Sequence, residues 1–143
     1  MPAGYSGRAT FQKLGINPES AVAIVDAPTE FATPEGYAAL VEMAPADLQL
    51  TTVVKGELDL IHLFVFERHV LAHHLPTLMA QIKQNGMIWV SWPKKTSKVP
   101  TDVTEDVVRE VALPLGLVDV KVAAVNAVWS GLKLVIRKQL RRA

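Results

Sequence analysis

Cysteine is absent from this 143-residue chain, which excludes disulfide scaffolds, zinc ribbons and thiol catalysis. Charge of one sign is scarce too. Lys and Arg number 15 against 14 Asp and Glu, a net charge of +1, which gives no general attraction to nucleic acid. No apolar run approaches the ~18 residues of a membrane span; the longest, Leu58 to Phe66, is interrupted by Asp59 and His62. The opening stretch MPAGYSGRATFQKLG has no apolar centre of signal-peptide type. These absences point to a cytoplasmic protein without a membrane or sequence-specific nucleic-acid partner. There is no Walker loop, no G-x-S-x-G elbow and no H-E-x-x-H.

Half of the residues are hydrophobic, enough for a chain of this length to bury roughly 68–70% of its unfolded surface. Short apolar runs alternate with amphipathic stretches. Ala21 to Val25 reads as a strand buried on both faces. Thr33 and Pro34 open a helix through Leu40 and Met43, closed by Pro45. Leu48 to Val54 is a weaker strand and Leu58 to Phe66 a stronger one. From Glu67 to Gln84, Leu71, Leu75, Leu78, Met79 and Ile82 mark one helix face, with Pro76 implying a kink and Asn85-Gly86 a stop. Met87 to Trp92 is the next strand. Asp102 and Glu105 then form a capping-box variant for a helix ending at Gly116. Val118 to Val125 and Leu132 to Arg137 are two further strands, with Asn126 to Gly131 as a hairpin loop.

The alternation specifies a single-domain α/β protein over residues 1–143, a Rossmann-like three-layer sandwich. Its sheet is mostly parallel and ends in an antiparallel hairpin. Residues 1–20 would be an N-terminal segment tied onto this domain, and 138–143 a basic tail. One conflict stands in the pattern. Lys55 to Glu57 are too few for a parallel crossover between neighbouring strands, so the strand near residue 50 is either very short or antiparallel to the next.

The order LDLIHLFVF, helix, NGMIWVSWP, helix and VDVKVAAVNAVWSGLKLVIR resembles the last half of a class I S-adenosylmethionine-dependent methyltransferase. GYSG, KLGI, WPKK, TDVTEDVVRE, LGLVDVKV and WSGLK together resemble a small bacterial family known only as a domain of unknown function. The methyltransferase resemblance implies a glycine-rich turn after the first strand, an acid after the second, and a third strand. Here the turn is Asp26-Ala27-Pro28-Thr29, the second strand ends in Thr51-Thr52-Val53-Val54, and no segment supplies the third strand. No cofactor is therefore assigned.

Ligands of open α/β sheets sit outside the carboxyl ends of the parallel strands. That edge collects WPKKTSK and the hairpin. Lys94, Lys95 and Lys98 are candidate point charges for a phosphate or carboxylate. Thr96 and Ser97 would add hydroxyls; Asn126, Trp129 and Ser130 complete the candidate ligand site, with Trp129 as a stacking face. Asp102, Glu105 and Asp106 nearby are the competing charges. They would repel an anion or neutralise the lysines in a solvated network.

His69 and His73 share a helix face but have no third ligand, so no metal site is assigned. His62 is expected as a hydrogen-bonded core residue, and Tyr5 as part of the tied-on N-terminal segment. Trp89 and Trp92 must face opposite sides of one strand, one of them lining the edge. Arg137, Lys138, Arg141 and Arg142 read as a solubilising terminus. No catalytic residue stands out. The functional expectation at this stage is a non-enzymatic module binding a small anionic ligand or acidic partner segment. The alternatives are a degenerate methyltransferase-like group-transfer enzyme and a structural homo-oligomer.

Overall fold

A computed structural model describes residues 8–142; Tyr5 and the GYSG motif lie outside them. Helix α1 (Thr10–Leu14) leads into β1 (Ala21–Val25), α2 (Pro34–Val41), β2 (Gln49–Thr51), β3 (Leu58–Phe64), α3 (Arg68–Met79) and β4 (Ile82–Pro93). Helix α4 (Glu105–Ala112) and the hairpin of β5 (Leu117–Ala124) and β6 (Trp129–Ile136) follow. The six strands form one sheet in the order β2-β1-β3-β4-β6-β5. The pairs among β1 to β4 are parallel, while β6 runs antiparallel to both β4 and β5. This is the Rossmann-like, mostly parallel sheet with an antiparallel end that the alternation specifies.

Strand periodicity divides the apolar residues between two cores. Ala23, Ile61, Leu63, Ile88, Val90, Trp92, Leu132 and Leu134 pack with Leu71 and Leu75 of α3 and Val108 of α4. Val22, Ile24, Leu60, Phe64 and Trp89 pack on the other face with Leu14 of α1 and Tyr37 of α2. Both faces are covered, so the central strands read as unbroken apolar runs. The two tryptophans do face opposite ways, and both are buried. Trp89 donates from Nε1 to the Leu14 carbonyl at 2.8 Å, holding α1 to the sheet.

The crossover conflict resolves through strand order. β2 does not adjoin β3; it pairs with the far side of β1, and it is only three residues long. From Thr51, level with Ala23, the chain must step across two strand spacings and back about three residue levels, roughly 14 Å. Residues 52–57 reach about 20 Å when extended. A β2 longer by about two residues would have put the start of β3 out of reach.

Two expected boundaries moved. The helix assigned to Glu67 to Gln84 ends at Met79 as one element with Pro76 inside it. Ile82 belongs to β4, so its helical spacing was coincidental with a strand start. Gly86 is no helix stop but a close approach of two strands: a Cβ there would lie 2.9 Å from the Leu58 carbonyl oxygen. The helix after Asp102 is capped by Thr104, whose hydroxyl accepts from the Val107 N–H at 3.2 Å, not by Asp102. The hairpin loop shortens to residues 125–128, placing Trp129, Ser130 and Gly131 in β6.

Candidate functional site

β1 leads through α2 to β2 on one side, and β3 leads through α3 to β4 on the other. The helices lie on opposite faces. The junction of β1 and β3 is therefore the switch point where such sheets open a crevice. In this chain aromatic rings fill it. Phe31, after β1, lies 6.1 Å from Phe64 at the end of β3; Trp129 stands edge-on to Phe64 at 5.2 Å and to Phe66 at 5.3 Å.

The turn after β1 offers little to a nucleotide-type cofactor. Its left-handed position, φ 56°, is held by Asp26, whose carboxylate faces His74 Nε2 at 3.1 Å. Pro28 has no N–H to donate. Thr29 to Phe31 form a 3₁₀ turn packed so tightly on α2 that a Cβ at Gly36 would sit 1.9 Å from the Glu30 carbonyl oxygen. The first turn of α2 is capped by Thr33, which accepts from the Gly36 N–H at 3.0 Å. The cleft beside β2, lined by Asp26, Ala27 and Thr52, measures about 280 Å³, below the ~300–1,000 Å³ usual for small-molecule sites. The Thr51 hydroxyl, at the end of β2, accepts from the Val53 N–H. These residues do not fit S-adenosylmethionine in the cradle implied by the methyltransferase resemblance.

A roomier cleft of about 660 Å³ opens at the end of β4. Lys94, Lys95, Lys98 and Ser130 line it together with Trp92, Pro93, Val99, Pro100 and Val103. The structure thus brings four of the eight candidate residues to one place. Its loop is pinned at both ends. Lys94 N–H donates to the Val128 carbonyl at 2.7 Å, and the Thr101 hydroxyl donates to the Phe66 carbonyl at 2.6 Å.

The other four candidates are engaged elsewhere or point away. The Ser97 hydroxyl donates to the Lys94 carbonyl and accepts from Val99 N–H. Asn126 Oδ1 accepts from the N–H groups of Val128 and Trp129, closing the hairpin. Trp129 is buried, 5% exposed, among the crevice aromatics. Thr96 is exposed outside the cleft lining.

The competing acids have other partners. Asp102 accepts from the Arg68 N–H at 2.7 Å, capping α3 across the loop. Glu105 and Asp106 both pair with Arg109, which also holds Asp119 of β5 through Nε at 2.8 Å. Hydrogen bonds from Arg109 hold the Asp119 carboxyl below the usual carboxylate range. Among the described residues no acid pairs with Lys94, Lys95 or Lys98. Sequence spacing could not anticipate this, because Arg109 gathers Asp119 from another element. The apolar lining was also missed, though Val99-Pro100 in an otherwise charged loop was its signal.

His62 is fully buried between Tyr37 Oη at 2.6 Å from Nδ1 and Ser91 Oγ at 2.7 Å from Nε2. Burial pushes its pKa down to about 3, so it is neutral in the fold, and burial raises that of Tyr37. On α3, His69 pairs weakly with Glu67 at 3.8 Å while His74 turns to Asp26. The described residues contain no group of three or more side chains able to hold a metal ion, and no helix long and apolar enough to cross a membrane.

Comparison with solved structures identifies the fold. The chain superposes on magnesium protoporphyrin IX methyltransferase from Synechocystis PCC 6803 with bound SAM, at TM-score 0.55 and 11% identity over 82% of this chain and 70% of that one. The antibiotic-resistance methyltransferase Kmr gives TM-score 0.51 and 8% identity over 83% of this chain and 87% of that one. Ribosomal protein L11 methylase from Lactobacillus delbrueckii subsp. bulgaricus gives 0.49 and 17% over 83%, and the chain spans 59% of its length. No family model matches, and no curated protein matches.

The architecture is thus that of the S-adenosylmethionine-dependent methyltransferases. The expectation of a non-enzymatic binding module, and with it the leaning against enzyme action, is overturned by this finding. Both of these neighbours with TM-score above 0.5 are named as methyltransferases, an enzyme class, and the group-transfer alternative is nearer.

Proposed function

We propose that this chain is a group-transfer enzyme of methyltransferase-like architecture whose anionic acceptor docks in the cleft beside β4. The carrying observation is the set of three lysines left without acid partners around a partly apolar cleft at the functional edge of a methyltransferase-type sheet. Lys94 and Lys95 would hold the acceptor's anionic group as point charges, and Ser130 Oγ would add one hydrogen bond. The donor, in this reading, is held otherwise than in the turn after β1. A cysteine-free chain suits the reducing cytoplasm.

The test is transfer of label from radioactive S-adenosylmethionine to pooled carboxylates and phosphate esters. Label should appear in an anionic acceptor and fall about tenfold or more in the Lys94→Ala/Lys95→Ala double variant, given the worth of hydrogen bonds to charged groups. Absence of transfer to every pool by folded protein, together with no retention of the donor in equilibrium dialysis, would overturn the proposal.

A further inference from the structure

Resting on that reading of the cleft, the chemistry of its lining specifies the acceptor further. We infer that it is an amphipathic acid: one anionic head, carboxylate or phosphate, on an apolar body. Small hydrophilic anions and polyanions fit it less well.

The cleft has two unlike parts. Lys94, Lys95 and Lys98 bring three ammonium groups with no acid partner among the described residues. Trp92, Pro93, Val99, Pro100 and Val103 supply the rest of the lining with Thr101, Thr104, Glu105 and Ser130. Most polar groups of that second set are already committed. The Thr101 hydroxyl donates to Phe66, the Thr104 hydroxyl caps α4, and Glu105 is paired with Arg109. What remains for a ligand is three ammonium groups, the Ser130 hydroxyl and an apolar lining. Val99 is 37% exposed in this loop, apolar surface that a ligand body would cover. The cationic part of the lining is confined to these three lysines, which suits one anionic head better than a polyanion. At about 660 Å³, the space lies within the ~300–1,000 Å³ usual for small-molecule sites.

Lys98 strengthens the assignment. It has φ 62°, the left-handed conformation after the 3₁₀ turn Lys95 to Ser97. A side chain with a Cβ is disfavoured there and glycine is the ordinary occupant. Asp26, Glu42 and Glu57 share this conformation, but of the four only Lys98 lines the cleft, where a lysine kept at a conformational cost can reach a ligand.

The experiment compares octanoate, octyl phosphate, octanol, acetate and inorganic phosphate by calorimetry at fixed ionic strength. Octanoate or octyl phosphate should bind at least about tenfold more tightly than acetate, phosphate and octanol, and the stronger of the two names the head group. Lys98→Gly should weaken that binding several-fold while leaving the melting temperature unchanged or raised. A merely structural Lys98 would not separate the two readouts. Equal affinity for inorganic phosphate and octyl phosphate, octanol binding as well as octanoate, or no binding by any amphipathic acid would overturn the inference. Octanoate binding that depends on Lys98, with no group transfer to any acid, would leave the inference standing and remove the enzyme reading. Transfer confined to small hydrophilic anions would do the reverse.

Discussion

Gly36 and His62 carry the sharpest consequences of single side chains. The Glu30 carbonyl oxygen occupies the space a Cβ at Gly36 would need, at 1.9 Å, and it belongs to backbone that cannot rotate aside. Gly36→Ala should therefore destabilise the fold by about 1–3 kcal/mol through overpacking. Urea unfolding should show it as a lower midpoint at unchanged slope. Tyr37→Phe takes away the hydroxyl on His62 Nδ1 and leaves a buried ring nitrogen without its partner. The expected loss is also about 1–3 kcal/mol. His62 as a hydrogen-bonded core residue was legible from one polar residue within an apolar strand. Its partners were not, because Tyr37 and Ser91 arrive from α2 and β4.

Between elements, the loop that follows β4 acts as a tie between α3 and α4. Asp102 caps the first and Thr104 the second, its hydroxyl accepting from the N–H three residues on. Asp102→Ala should cost about 1 kcal/mol, as loss of a helix cap does, while Asp102→Asn, which keeps an acceptor oxygen, should retain most of it. Thermal melts of the pair decide the matter, and equal losses would show that charge and not the cap is responsible. The sequence pattern placed a helix start here correctly but assigned Asp102 to the wrong helix. A capping box is a local pattern, and the acceptor that α3 needed came from 34 residues away. The same non-locality applies to Arg109, which collects acids from its own helix and from β5 and so leaves the lysine loop uncompensated.

For the molecule as a whole, acid should be the weak direction. His62 titrates near 6.5 when unfolded and near about 3 in the fold. Below pH 6.5 the unfolded chain takes up a proton that the folded chain refuses. Stability is then complete above 6.5 and falls as pH drops toward 3, by up to about 1.4 kcal/mol per unit. By pH 4.5 the loss is about 3 kcal/mol, and hydrogen-bonded Glu42 and Asp119, both lowered, add to it at still lower pH. His62→Gln, which does not titrate, should flatten the slope between pH 6.5 and 4.5 in denaturant titrations, whatever its absolute stability. The α/β class, both faces of the central strands, the reversed hairpin and the lysines beyond the carboxyl end of β4 were all set by the chain's local patterns. Apolar periodicity and turn residues act over a few positions and survive any packing. Strand order around β2, the aromatic filling of the crevice and the freedom of Lys94, Lys95 and Lys98 were decided only in three dimensions. Each depends on which distant groups meet, and no spacing along the chain records that.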